Sequence, residues 1–176
     1  MGGLRQYTIP FRGLKEGKHE FEFVADNSFF EHFESSEVNK GLVRIYIELI
    51  KHSHFLELHF EISGKVTVSC DRCLEPFVLG IDHQAELYIR FGEKSFEQSE
   101  EVIILADSTN EIRLEHYIYE YIQLALPYQR IHPEIDGNSG CDPEMMKKLR
   151  DHIADVESDS EDPRWDKLKG LINKSE

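Results

Sequence analysis

The sequence predicts an α+β fold in which a mostly antiparallel, strongly curved sheet packs against one long helix, with short helices at the C-terminal end. Two patterns carry this prediction. Residues 42–62 alternate β-branched or aromatic side chains with polar ones, as half-buried strands do. Residues 112–126 instead place apolar side chains at helical spacing. The 176 residues are 40% hydrophobic and 31% charged, which is typical of a globular chain that buries a core.

The N-terminal part is predicted to be extended and then to form a short helix. Residues 19–24 alternate, with Phe21 and Phe23 on one side of a strand and glutamates on the other. Asp26 or Asn27 is suited to cap a short helix that carries the phenylalanines of residues 29–33.

The strongest sheet signal is an antiparallel hairpin. Its two strands span residues 42–50 and 54–62 and are separated by a polar break of three residues. Gly64 interrupts the alternation, so separate strands are predicted beyond it. These further strands cover residues 65–70, 74–79, 85–91 and 102–105.

The helix over residues 112–126 ends at Pro127, and Pro143 suits the first turn of a second helix that extends to Ile153. An acidic stretch without lysine or arginine follows. The predicted organisation is therefore a single domain over residues 1–155. Residues 156–176 form an acidic linker and a short helix that begins at the Asp-Pro-Arg-Trp sequence.

Charge and hydropathy exclude several classes of function. The net charge of −14 disfavours a protein that coats nucleic acid by charge alone, so any RNA contact is expected to be local or made through a partner. No apolar run approaches the roughly 18 residues of a membrane span, and the N-terminus does not resemble a signal peptide. A cytoplasmic protein without a membrane partner is expected.

The sharpest chemical feature is a Cys-x-x-Cys corner formed by Cys70 and Cys73 between two strands. Thiolates at this spacing can share a tetrahedral zinc ion, which needs two more ligands. His132 and Cys141, from the loop after the long helix, would complete a Cys₃His site. Two alternatives stay open: buried thiols without a metal, and a redox pair, although redox Cys-x-x-Cys motifs belong at helix N-termini.

No motif of a known catalytic type occurs, and neither an enzyme nor a small-molecule substrate is expected. Cations near the corner and in the C-terminal part, together with a tryptophan that could stack on bases, are candidate contacts with RNA or a protein partner, although a structural or solubilising role is the alternative for several of them. These candidates are Lys65, Arg72, Arg130, Lys147, Lys148, Arg164 and Trp165.

In order along the chain, four motifs resemble the YceD family of large-subunit ribosomal RNA accumulation proteins. They are Cys-x-x-Cys-Leu-Glu-Pro-Phe with the strand before it, the helix end at residues 122–127, the pair His132 and Cys141, and Asp-Pro-Arg-Trp. The resemblance implies a non-enzymatic ribosome-biogenesis factor that supports processing or accumulation of 23S-type ribosomal RNA. Some relatives carry a fuller set of cysteines that suggests zinc.

Two other hypotheses belong to different classes. An acidic binding module could escort a basic ribosomal protein without touching RNA, because opposite charges favour such a pair. A redox protein would instead use Cys70 and Cys73, and its function would be lost when either becomes serine.

Overall fold

The computed structural model describes residues 4–33, 36–38, 40–92, 102–135 and 138–154. Two compact units divide the chain, Met1–His132 and Pro133–Glu176. The single domain over residues 1–155 stays a prediction, and the acidic linker and helix over residues 156–176 lie outside the described residues.

A five-stranded sheet dominates the first unit. The strands of this unit are β1 (Thr8–Ile9), β2 (Gly17–Ala25), β3 (Lys40–Lys51), β4 (Phe55–Ser69), β5 (Pro76–Phe91), β6 (Val102–Leu105) and β7 (Ile112–Arg113). The strand order in the five-stranded sheet is β2-β3-β4-β5-β6, and a separate two-stranded sheet pairs β1 with β7. The helices are α1 (Asn27–Phe30) and α2 (Glu115–Leu124), with short 3₁₀ turns at Leu4–Tyr7 and Phe11–Gly13.

The prediction of a mostly antiparallel, strongly curved sheet packed against one long helix is wrong. Strands β2 to β5 pair antiparallel, but β6 joins β5 in parallel, so the sheet is mixed, and it is not strongly curved. The helix is short because Ile112 and Arg113 lie in β7, where Ile112 pairs with Ile9, and α2 begins only at Glu115. Of the apolar residues at the upstream end of the predicted helix, Ile112 therefore belongs to a strand, and Leu114 is the N-cap of α2.

The inner face of the sheet forms the core of the first unit. Alternate side chains of β3, β4 and β5 are buried there, as a period of two requires. Helices α1 and α2 contribute Phe29, Phe30, Ile118 and Ile122 to the same core. The buried side chains of the inner face include Val43, Ile45, Ile47, Leu49, Leu56, Leu58, Phe60, Ile62, Val66, Val68, Leu87 and Ile89.

The outer face of the sheet carries the alternate, mostly polar residues of the same strands. Its acidic side chains lie towards the middle of the strands and the β3–β4 turn, where cross-strand registers place Glu20 beside Glu48 and then His59 beside Glu86. His59 bridges two of these carboxylates, with Nε2 3.0 Å from Glu57 and Nδ1 3.4 Å from Glu86.

The second unit contains a two-stranded sheet and one helix. Strands β8 (Glu134–Ile135) and β9 (Asn138–Ser139) pair antiparallel, and α3 spans Pro143–Ala154. Asp142 caps α3 by accepting hydrogen bonds from the backbone N–H groups of Glu144 and Met145, each 3.2 Å long. The predicted start of this helix at Pro143 is confirmed. Among the described helices, none has the length and apolar character needed to span a membrane.

Candidate metal centre

The Cys-x-x-Cys corner is a tight turn between β4 and β5. The Cys70 N–H donates to the carbonyl of Glu75 at 3.0 Å, and the Leu74 N–H donates back to the carbonyl of Cys70 at 2.9 Å. Leu74 has a φ of 65°, which is uncommon for a residue with a side chain. The two hydrogen bonds hold Leu74 in this conformation. They turn the chain back so that both cysteines are buried on one side.

An aspartate inside the corner fixes the loop that follows α2. The Asp71 N–H donates to the carbonyl of Arg130 at 2.8 Å, and the Arg130 N–H donates to the Asp71 carboxylate at 2.7 Å. The Arg130 guanidinium also contacts Asp71 at 3.4 Å and Glu37 at 2.5 Å. The contacts between Asp71 and Arg130 join residues 59 positions apart in the sequence, and the contact with Glu37 spans 93 positions. They place His132, two residues after Arg130, beside the corner.

Three ligand-type side chains of the first unit meet at the corner. The ligand atoms of Cys70, Cys73 and His132 all lie within 4.8 Å of one another. The Cys73 Sγ is 3.4 Å from the Nδ1 of His132. The His132 ring packs against Phe77, with ring centroids 4.7 Å apart, so its orientation is fixed by β5. The predicted association of these three residues is therefore present in the first unit.

The Cys70 sulfur lies in surroundings that favour the thiolate. Burial acts to raise the pKa of Cys70, but hydrogen bonds from the backbone N–H groups of Cys73, Arg72 and His132, and from the His132 side chain, outweigh it and lower the pKa to about 6. At neutral pH this sulfur is therefore largely ionised, which is the form that binds metals.

The lowered pKa gives an expected pH dependence for the metal-free protein. Because the folded pKa is about 6 and an ordinary cysteine titrates near 9, the shift contributes stability that is complete above pH 9. That contribution is lost as the pH falls towards 6. Urea unfolding in the presence of a chelator should show stability falling between pH 9 and pH 6. Cys70→Ser should flatten this slope, and an unchanged slope in the variant would show that Cys70 is not its source.

The fourth candidate ligand belongs to the second unit. Cys141 precedes α3, is buried, and its N–H donates to the Ser139 hydroxyl at 3.3 Å. Within the described part of the first unit, Cys70, Cys73 and His132 form a group that is compatible with a bound metal ion, and the role of Cys141 as a further ligand stays a prediction.

The predicted contacts with RNA or a protein partner have different surroundings. Lys65 and Arg72 are exposed, the first on the outer face of β4 and the second in the corner. Arg130 forms ion pairs with Glu37 and Asp71 and so has a structural role. Lys147 and Lys148 are exposed on α3, while Arg164 and Trp165 lie outside the described residues. The binding role of these residues stays a prediction.

Two features of the structure did not emerge from the sequence. Asp71 has no role in the predictions from sequence, because its bonds to Arg130 depend on a distant segment that no local pattern reveals. Lys40 and Arg44 are not among the predicted contacts, although both lie on the outer face of β3 with Lys65 opposite the residue between them. The alternation of side chains along the strand is the signal that could have indicated the shared face.

Comparisons with known proteins agree with the motif order. No curated protein and no solved structure matches the chain. The family model of the large ribosomal RNA subunit accumulation protein YceD matches residues 58–172, which include most of β4, the corner, α2, His132 and Cys141. This match covers more than half of the sequence, and the chain belongs to the YceD family.

Proposed function

We propose that this protein is a non-enzymatic factor of ribosome biogenesis that supports accumulation of the large-subunit ribosomal RNA. The family match over residues 58–172 carries the proposal. The corner supports the non-enzymatic part, since its thiols are buried and its backbone groups are bonded within the turn. In this proposal the protein acts where ribosomal subunits assemble, and the cytoplasmic location stays a prediction.

We further propose that Cys70, Cys73 and His132 bind a zinc ion, with Cys141 as the fourth ligand. Zinc distances of about 2.3 Å to sulfur and 2.0–2.1 Å to nitrogen place tetrahedral S and N ligands about 3.6 Å apart. The observed 3.4 Å between Cys73 Sγ and His132 Nδ1 is close to that separation. The donor set and the ionised Cys70 therefore fit zinc.

A zinc ion with four protein ligands would have a structural role. Four protein ligands leave no position for water or substrate, which distinguishes structural from catalytic zinc sites. The ion would reinforce the attachment of the loop after α2, which Asp71 and Arg130 already hold. A redox role for Cys70 and Cys73 is less well supported, because both thiols are buried and the corner follows a strand.

Depletion in cells tests the proposed function. Loss of the protein should lower large-subunit ribosomal RNA relative to small-subunit RNA, with fewer complete large subunits on sucrose gradients. Wild-type protein should restore both, and His54→Ala should do so equally, because His54 is exposed and distant in sequence from every candidate ligand. Unchanged RNA ratios and gradients after depletion would refute the proposal.

The second candidate function is that of an acidic module that escorts a basic ribosomal protein. The net charge of −14 and the glutamates on the outer sheet face favour it. Affinity capture with and without nuclease separates the two functions. A ribosomal protein that remains bound after complete RNA digestion favours the escort, whereas capture that disappears with the RNA favours the RNA-supporting factor.

A further inference from the structure

Three cations gather on the outer sheet face at its corner end, the end nearest the Cys-x-x-Cys turn. Lys40 and Arg44 lie on β3 on either side of Leu42, and Lys65 lies on β4 directly opposite Leu42. Lys65 is therefore the diagonal neighbour of both Lys40 and Arg44. The Cα atoms of diagonal neighbours lie roughly 7–8 Å apart. All three side chains are exposed.

These cations differ in their surroundings from several others of the first unit. Lys18, Arg113 and Arg130 form ion pairs, and Lys51 donates to three backbone carbonyls. In the described part of the chain, by contrast, no carboxylate forms an ion pair with Lys40, Arg44 or Lys65. In a protein with a net charge of −14, three neighbouring cations without such pairs make a local positive surface.

Exposed apolar side chains lie among the cations. Leu42, between Lys40 and Arg44 on β3, is 59% exposed. Val78 on β5 is 62% exposed, and it pairs with Thr67 of β4, which in turn pairs with Lys40. Val24, opposite Arg44, is 49% exposed. Exposed apolar side chains grouped in one place commonly mark a surface that another molecule covers. The cationic patch is defined here as Lys40, Leu42, Arg44, Lys65 and Val78.

We propose that the cationic patch binds the sugar-phosphate backbone of large-subunit ribosomal RNA. This inference rests on the proposed function and adds to it the surface that contacts the RNA. Phosphates would pair with Lys40, Arg44 and Lys65, and riboses would cover Leu42 and Val78. Contacts of this kind position RNA without reading its sequence.

The charge of the patch decides between RNA and a basic protein as its occupant. Three cations repel a basic ribosomal protein, whereas they attract phosphates and release the counterions around them. Carboxylates of the same face limit the patch, since Glu22 and Glu61 are diagonal neighbours of Arg44 and Asp82 is a diagonal neighbour of Lys65. The bound RNA would therefore run along the corner end and avoid the glutamates.

Salt-dependent binding of the full-length protein to purified, protein-free large-subunit ribosomal RNA tests the patch. The test variant carries Lys40→Gln, Arg44→Gln and Lys65→Gln. Three phosphate contacts contribute about 2 units to the slope of log K against log salt for single-stranded RNA, so the variant should lose that much slope. The same loss weakens binding at 0.15 M salt by about 40-fold.

A matched control removes the same charge from elsewhere in the first unit. Arg5→Gln, Lys15→Gln and Arg90→Gln together remove three exposed cations that also lack an ion pair with a described carboxylate. This control should bind nearly as well as wild type, with the same slope. Both variants change exposed side chains only, and their melting temperatures should match that of wild type.

Each other outcome would overturn the inference in a recognisable way. Equal weakening of both variants would show that only net charge matters and would leave the proposed function intact. Wild-type protein that does not bind the RNA would also overturn the patch, while the depletion phenotype decides the function separately. Loss of a nuclease-resistant protein partner from the patch variant, with RNA binding unchanged, would assign the surface to that protein.

Discussion

Gly64→Ala is expected to destabilise the protein by about 3 kcal/mol or more, because it forces a side chain into the backbone of a neighbouring strand. A Cβ at this position would lie 2.4 Å from the Leu42 carbonyl oxygen and 2.6 Å from the Val43 Cα. These atoms belong to β3, where Val43 pairs with Gly64, so relief requires separating paired strands. The melting temperature should fall by about 2–4 °C for each kcal/mol lost.

Gly80→Ala is the matched control for this strand glycine. Gly80 lies on β5 opposite Lys65, and a Cβ there meets no atom within 4 Å. Alanine should leave stability unchanged or raise it by about 0.5 kcal/mol, since it restricts the unfolded chain. If urea denaturation gives both variants the same stability, the close approach of β3 and β4 at Gly64 would be incorrect.

Cys70→Ser should remove bound zinc and destabilise the protein by several kcal/mol. Binding energy for a structural zinc ion contributes directly to folding, because the unfolded chain does not hold the ligands together. Elemental analysis of wild-type protein should give one zinc per chain, and the variant should give almost none. A strong chelator should lower the melting temperature of wild type towards that of Cys70→Ser.

The chelator also separates a metal effect from the loss of a buried thiol. It should not lower the melting temperature of Cys70→Ser further, because that variant has no zinc to lose. His132→Ala should behave like Cys70→Ser, whereas the exposed His54→Ala should respond like wild type. The zinc site would be eliminated if purified wild-type protein contained no zinc and if the chelator did not change its melting temperature.

Local alternation was enough to predict the central hairpin. The antiparallel pairing of β3 with β4 is confirmed, although residues 52–54 separate the strands and the predicted break was residues 51–53. The short helix α1 with Asp26 as its cap is also confirmed, since the Asp26 carboxylate accepts from the N–H groups of Ser28 and Phe29. These features depend on neighbouring residues, which a sequence pattern records directly.

Many of the wrong predictions of strand boundaries and strand pairing involve glycines or residues far apart in the sequence. Gly64 was expected to break a strand, but it lies within the continuous strand β4. Residues 74–79 and 85–91 were expected to form two strands, but the single strand β5 runs from Pro76 to Phe91. Gly64 is required where two backbones approach closely, which has the same sequence signature as a break. The parallel addition of β6 to β5 links residues that no local pattern joins.

In the candidate site, too, local spacing predicts one part, and contacts between distant residues form the rest. The spacing of Cys70 and Cys73 identifies the corner because both residues come from one turn. His132 was chosen among nine histidines for its place in the sequence, and the structure brings it to Cys73. Arg130 is a predicted contact with RNA or a protein partner, and only the folded chain reveals its ion pairs with Asp71 and Glu37.

On the outer sheet face, Lys40, Arg44 and Lys65 lie near the corner, whereas Glu20, Glu48 and Glu86 lie farther along the strands, so the two kinds of charge are partly separated. If the cationic patch binds RNA, the field of this polyanion favours the orientation in which Lys40 and Lys65 approach it first and these glutamates follow. A protein that is acidic as a whole can therefore approach RNA in one preferred orientation. The trailing carboxylates then point away from the nucleic acid, towards whatever cationic surface lies behind the protein.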